Sequence, residues 1–207
     1  MVLVKICGIT NLKDGLAAPA FGADMVGFNF YAKSPRYVRP TAAGAIASRL
    51  PREVKKVGVF VNESLEDINA TCQAARLDAI QLHGDETEEF VQQIRSALAL
   101  PVIRAIRIGN PDNEIKDTVA DAVLLDAYSP DKYGGTGERF DWEKAVALKD
   151  RFNEIYLAGG LTPENVAEAV NIVRPFAVDV AGGVEARPGI KDLVKMRAFI
   201  ENAKNAL

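Results

Sequence analysis

The chain has 207 residues, 48% of them hydrophobic, and a formal net charge of −3 with no Lys/Arg block. This suits a soluble globular protein and argues against a nucleic acid or an anionic membrane surface as partner. No apolar run approaches the ~18 residues of a membrane span. The opening Met1-Val2-Leu3-Val4-Lys5 enters a strand-like run without a signal-peptide layout, so a cytoplasmic protein is expected. Two cysteines far apart in sequence do not make a disulfide framework, and the single histidine, His83, excludes a multi-histidine metal cluster within one chain.

In chain order, short β-type runs alternate with amphipathic helical patterns. Strands are predicted at residues 2–7, 25–30, 56–61, 78–83, 102–107, 121–126, 154–158 and 176–180. Most are near-continuous apolar runs, such as Ala122-Val123-Leu124-Leu125 and Ile155-Tyr156-Leu157, as strands covered on both faces read. Ser64-Leu65-Glu66-Asp67 resembles a capping box, after which Leu65, Ile68, Cys72 and Ala75 share one helical face. Thr87 precedes Phe90, Val91, Ile94 and Leu98 at helical spacing. Thr162-Pro163-Glu164 sets a capping hydroxyl before a proline at the first helical position, and Val166, Ala169, Val170 and Val173 follow as a stripe. Leu193, Met196, Ile200 and Ala203 form the last one.

Strand, helix, strand repeated eight times predicts a parallel sheet. Eight units of about 26 residues fit a compact (β/α)₈ (TIM) barrel: an α/β protein with eight all-parallel strands. A doubly wound open sheet usually needs fewer strands. The strings Ala23-Asp24-Met25-Val26, Leu77-Asp78-Ala79-Ile80 and Ala120-Asp121-Ala122-Val123 introduce strands two, four and six alike, an internal echo that favours the barrel. No linker, low-complexity tract or composition shift divides the chain, so residues 1–207 are read as a single domain.

In such a barrel the strand C-termini meet at one face, where active sites form. Cys7 ends the first strand. It is either a small buried hydrophobe or a nucleophile or base whose pKa is lowered by Lys5, two residues back on the same side; Lys5 could equally be a structural ion-pair partner inside the barrel. Cys72, on its helix's apolar stripe, is core. Asp126 ends strand six, as an acid poised by partial desolvation or as a cap of the turn Ala127-Tyr128-Ser129-Pro130. Asp179 ends strand eight and is read the same way. His83 ends strand four, where a polar rim residue is the commoner fate. Gly159-Gly160 and Gly182-Gly183 follow strands seven and eight, the usual phosphate loops of these barrels, where glycine lets backbone N–H groups approach an anion. Tyr133-Gly134-Gly135-Thr136-Gly137 is either a solvated turn or a lid or phosphate-touching loop. Arg36, in Ser34-Pro35-Arg36-Tyr37 after strand two, could fork onto a carboxylate.

Taken together these motifs resemble the phosphoribosylanthranilate isomerase family of tryptophan biosynthesis. The resemblance runs through Val4-Lys5-Ile6-Cys7-Gly8-Ile9-Thr10, Ser34-Pro35-Arg36-Tyr37-Val38, Gln81-Leu82-His83-Gly84, Leu125-Asp126, Gly134-Gly135-Thr136-Gly137, Leu157-Ala158-Gly159-Gly160-Leu161 and Asp179-Val180-Ala181-Gly182-Gly183-Val184-Glu185. It implies a barrel enzyme that performs an Amadori rearrangement of a small phosphorylated substrate, with no metal or organic cofactor. By that resemblance Asp126 is the general acid and Cys7, as thiolate, the base. Arg36 holds the anthranilate carboxylate, Asp179 accepts a hydrogen bond from the substrate nitrogen, His83 binds substrate, and the two glycine turns bind phosphate. Gly135 and Thr136 fall in the substrate loop. Family members include monomers and homodimers. One departure stands out: Gly182 takes a position where the family often has serine, removing a hydroxyl near the phosphate.

Two rivals remain at this point. One is a related phosphate-binding barrel, the histidine-pathway aminoaldose–ketose isomerase or a pentose-phosphate epimerase. The first would need a second phosphate cradle and an aspartate at Cys7, the second metal ligands. The other rival is a catalytically silent barrel that binds a phosphorylated metabolite or a partner protein.

Overall fold

The computed structural model describes residues 1–109, 115, 117–127 and 141–206. Eight strands close a barrel in chain order: β1 (Leu3–Cys7), β2 (Met25–Asn29), β3 (Lys55–Phe60), β4 (Ala79–Leu82), β5 (Val102–Ile108), β6 (Ala122–Ala127), β7 (Ile155–Leu157) and β8 (Ala177–Val180). Every neighbouring pair is parallel, including β8 with β1, which removes all free sheet edges. The apolar runs form these strands because both faces are buried. Val4 and Ile6 face the outer core, while Met25, Val57, Ile103, Leu124 and Tyr156 fill the interior.

The outer layer comprises α1 (Leu12–Ala20), α2 (Pro40–Ala47), α3 (Leu65–Ala75), α4 (Glu88–Leu98), the short α5 (Glu143–Val146), α6 (Val166–Val173) and α7 (Leu193–Lys204). The periodic stripes are the buried faces: Ile68, Cys72 and Ala75 on α3, Val91 and Ile94 on α4, and Val166, Ala169, Val170 and Val173 on α6. Ser64 and Thr87 cap α3 and α4 as expected, their hydroxyls accepting from Asp67 and Phe90 N–H. Thr162 departs from expectation. Asn165 and Val166 N–H reach its backbone carbonyl instead, through a turn over residues 163–165. Among the described residues no helix separates β5 from β6. None of the described helices is long and apolar enough to cross a membrane.

The echoed aspartates have a physical cause. Asp24, Asp78 and Asp121 each accept, through the carboxylate, the N–H of Val4, Lys56 and Val102 on the preceding odd-numbered strand, at 2.8 Å in every case. Each then donates its own N–H to the carbonyl of that same residue, at 3.0, 2.8 and 2.9 Å. Three two-point clamps therefore join β1–β2, β3–β4 and β5–β6 at the strand N-termini, the face opposite the site.

After β8 the chain makes a 3₁₀ turn, Gly182–Val184, and a small antiparallel hairpin of β9 (Glu185–Arg187) and β10 (Ile190–Lys191) before α7. Sequence analysis has no counterpart for it. Strands of two or three residues carry too little periodicity to read.

Candidate active site

Period-two alternation brings Cys7 (β1), Asp126 (β6) and Asp179 (β8) to the inner wall of the mouth, with His83 just beyond the end of β4. All four are buried, and all line one cavity of about 650 Å³, with Arg36, Gly159, Gly160, Gly182 and Gly183. Every described candidate is thus gathered in one place. Gly135 and Thr136 lie outside the described residues, as do positions 128–130 of the turn after Asp126.

Lys5 is wholly buried and donates to Asp179 Oδ1 at 2.8 Å. Burial opposes its charge, but the neighbouring Asp179 carboxylate and the Cys7 sulfur outweigh that and hold the ammonium above its ordinary pKa. Cys7 behaves otherwise than expected. Burial pushes its thiol up, and Lys5 offsets only part of this, because its charge is shared with Asp179, which itself disfavours a thiolate. The expected lowering by Lys5 exists as a contribution but does not win. Room for this pair comes from Gly27 on β2: a Cβ there would stand 2.7 Å from Cys7 Sγ and 3.2 Å from Lys5 Nζ.

Asp126 Oδ1 accepts the N–H of Ala127 at 2.9 Å, while Oδ2 stands 3.3 Å from His83 Nε2. The Gln81 amide nitrogen lies 2.9 Å from His83 Nδ1. With Gln81 donating, the imidazole carries its hydrogen on Nε2, facing Asp126. The Nε2–Asp126 approach is close but off line, so His83 Nε2 and Gln81 Oε1 remain buried polar atoms without a hydrogen bond. Two unused polar groups beside a carboxylate, within a cavity, are suited to a polar ligand. Gln81 carries no role in the sequence reading, although it stands two residues before His83 and must share its face.

Arg36 already has a partner within the protein. Its fork is already engaged: Nε and Nη2 donate to Glu185 Oε1 and Oε2, both at 2.8 Å. Only Nη1 and the outer hydrogen of Nη2 remain for a ligand. The other partners of Glu185 are Lys191 Nζ at 3.2 Å and Gly189 N–H at 3.2 Å. Neither Glu185 nor Lys191 is given a role by sequence reasoning, since a charged residue in a Pro-Gly loop ordinarily reads as solvated.

The glycine turns fit an anion. Gly159 and Gly160 hold φ of 76° and 67°, which turns the chain sharply after β7. Asn165 braces that turn, donating to Gly160 O at 2.9 Å and accepting the Thr162 N–H at 2.8 Å. Gly183 is required by proximity, because a Cβ would fall 1.9 Å from Leu161 O of the neighbouring loop. A Cβ at Gly182 would stand 3.3 Å from Arg36 Nη2, so that glycine faces the guanidinium.

A thiol and a carboxylate from different strands of one closed barrel, sharing one mouth cavity, place the chain among the acid–base enzymes built on (β/α)₈ barrels. A family model described as PRAI, N-(5'-phosphoribosyl)anthranilate (PRA) isomerase, matches residues 4–202. N-(5'-phosphoribosyl)anthranilate isomerase of Trichlorobacter lovleyi is 49% identical over 209 residues, covering 100% of both chains. The crystal structure of phosphoribosyl anthranilate isomerase from Thermotoga maritima superposes with a TM-score of 0.88 at 45% identity, over 99% of both chains. A structure of the isomerase in complex with reduced 1-(o-carboxyphenylamino)-1-deoxyribulose 5-phosphate gives 0.85 at 44%, also over 99% of both. The chain belongs to the N-(5'-phosphoribosyl)anthranilate isomerase family.

Proposed function

We propose that this chain isomerises N-(5'-phosphoribosyl)anthranilate to 1-(2-carboxyphenylamino)-1-deoxyribulose 5-phosphate with Asp126 as general acid and Cys7 as general base. The observation that carries the residue assignment is the shared cavity of these two buried groups, flanked by both glycine turns. Asp126 gives a proton to the ribose ring oxygen as the C1–O bond breaks. The pair of that bond stays on oxygen, and the anilinic nitrogen lone pair forms the C=N bond of an iminium. Cys7, as thiolate, takes the proton from C2, and the C2–H pair flows back through the iminium to nitrogen. The resulting enolamine tautomerises to the ketone. An acid for one oxygen and a base for the adjacent carbon are what the reaction needs, and unlike groups at different strand ends supply them.

His83, held by Gln81, faces Asp126 and fixes the direction from which the acid approaches. Asp179, with one oxygen on Lys5, accepts from the substrate nitrogen through the other. Phosphate is bound by the turns at Gly159–Gly160 and Gly182–Gly183, with backbone N–H groups as donors. The ring carboxylate meets the outer edge of Arg36, whose inner edge belongs to Glu185. Gly135 and Thr136 complete the reading as substrate-loop residues.

The test is steady-state turnover of freshly made phosphoribosylanthranilate by the wild type and by Asp126→Asn and Cys7→Ala. Either substitution is expected to lower kcat by ~10²–10⁴-fold with a modest change in KM. Near-normal kcat in either variant removes that residue from the proposed chemistry.

A further inference from the structure

Lys191, on the β9–β10 hairpin, is directed into the protein with none of its side chain exposed. Its ammonium is not among the groups that line the cavity and is covered by two groups of the site's own frame. It donates to Ala181 O at 2.9 Å and to Glu185 Oε1 at 3.2 Å. Its backbone is fixed too, the N–H donating to Asp14 Oδ2 of α1 at 2.9 Å. A lysine buried this completely ordinarily costs stability unless it is paired or used.

Charge gives the reason to keep it. Arg36 and Glu185 form a bidentate pair, one positive and one negative, so by themselves they present no net charge to the cavity. An anionic carboxylate approaching the outer edge of Arg36 would meet a guanidinium already neutralised by Glu185. The buried Lys191 ammonium, on the far side of the same Glu185 oxygen that takes Arg36 Nε, restores one net positive charge to the group. Glu185 is ionised in this setting: burial raises its pKa, but the Arg36 and Lys191 partners lower it by more. Burial lowers the pKa of Lys191, and Glu185 opposes that shift without overcoming it.

We propose that Lys191 is a positioning residue that sets the preference of the site for a carboxylate on the aryl ring, by counterbalancing Glu185 so that Arg36 keeps its charge toward the cavity. The inference rests on the reading that Arg36 receives the ring carboxylate. Lys191 acts through Glu185 and Arg36 and at the same time pins the carbonyl that precedes Gly182, so one ammonium serves both the carboxylate end and the phosphate end of the cavity.

The test is a ratio of inhibition constants. One probe is reduced 1-(o-carboxyphenylamino)-1-deoxyribulose 5-phosphate; the other is the same compound without the ring carboxylate. Taking the ratio cancels general loosening of the site, which weakens both probes together. Wild type is expected to favour the carboxylated probe. Lys191→Met is expected to lower that preference about tenfold, as loss of a unit charge several ångströms away in a poorly solvated site would. The double variant Lys191→Met/Glu185→Gln removes the opposing charge as well and is expected to regain most of the preference, an outcome a merely structural lysine would not give. An unchanged ratio in Lys191→Met, or a double variant no better than the single, overturns the inference. Should Lys191→Met not fold, Glu185→Gln alone decides: a ratio equal to or above that of the wild type supports the charge balance, and a lower one overturns it. Arg36→Met separates this inference from the reading beneath it. If that variant keeps the wild-type preference, Arg36 does not receive the carboxylate and the reading fails. If it loses the preference while the Lys191 variants keep it, only the role of Lys191 fails.

Discussion

Lys5 and Cys7 sit two residues apart on β1 and share the inner face of the barrel, yet the thiol titrates upward. The ammonium that could stabilise a thiolate is divided between Cys7 and Asp179. The sign of the pH effect follows. With the thiolate as the proposed base, a thiol pKa above the ordinary value means that kcat/KM of the wild type is expected to climb with pH past the point where a free cysteine would already be ionised. Lys5→Met removes the largest charge favouring the thiolate, so this ascending limb is expected to move to still higher pH, with activity at neutrality falling and partly recovering in alkali. A pH–rate profile of the two proteins checks this, and a limb that stays in place would falsify the coupling. Of the site, Cys7, Asp126 and Asp179 were legible because a thiol or carboxylate ending an apolar strand is anomalous wherever it occurs. The occupied state of Arg36 was not legible. Its partner Glu185 lies 149 positions away, and only the hairpin's fold brings the two together. Lys191 was hidden for the same reason, since burial of a loop lysine is decided by the packing of β10 on α1 and not by its neighbours in sequence.

The strands were legible nearly to the residue, because a strand buried on both faces leaves an unbroken apolar run that little else imitates. The echoed aspartates were seen but not understood. Their use as clamps requires knowing which strand lies beside which, and that is a property of the closed sheet. These clamps separate stability from catalysis. Asp24 holds the N–H of Val4 and also receives Lys204 Nζ from α7 at 2.9 Å. Asp24→Ala leaves a buried strand N–H unpaired and is expected to cost about 1–2 kcal/mol, the lower part of the usual range because the carboxylate is partly solvated. It should lower Tm in a thermal melt while leaving kcat unchanged, since the clamp stands at the opposite end of the strands from the cavity. On the catalytic face the expectation reverses. Gly183→Ala drives a methyl group into Leu161 O and must displace one of the two anion turns. It is expected to raise KM at least tenfold with a smaller change in kcat, read from initial rates.

Across the whole molecule the hydrogen-bonded ladder is uneven. β5 and β6 pair from Ile103–Ala122 through to Ile108–Ala127, whereas β7 and β8 meet over Tyr156–Ala177 and Leu157–Val178 alone. Among the described residues no aspartate clamp of the kind that ties β1–β2, β3–β4 and β5–β6 links β7 to β8. This joint is where the ring is expected to open first, so backbone amides of residues 155–157 and 177–180 should exchange fastest among the strands of the free protein. A ligand that binds only the closed form at about 100 times its Kd adds ~2.7 kcal/mol to the cost of opening. Saturation with the reduced product analogue is therefore expected to slow exchange there more than in β2 or β3; uniform slowing, or none, would count against a phosphate seated between the two turns. The glycine turns proposed to receive the phosphate are the ones that follow these two thinly joined strands. On that reading the metabolite is a fastener as well as a reactant, buttoning the barrel across its weakest seam, and the idle enzyme is the form expected to yield first to a protease.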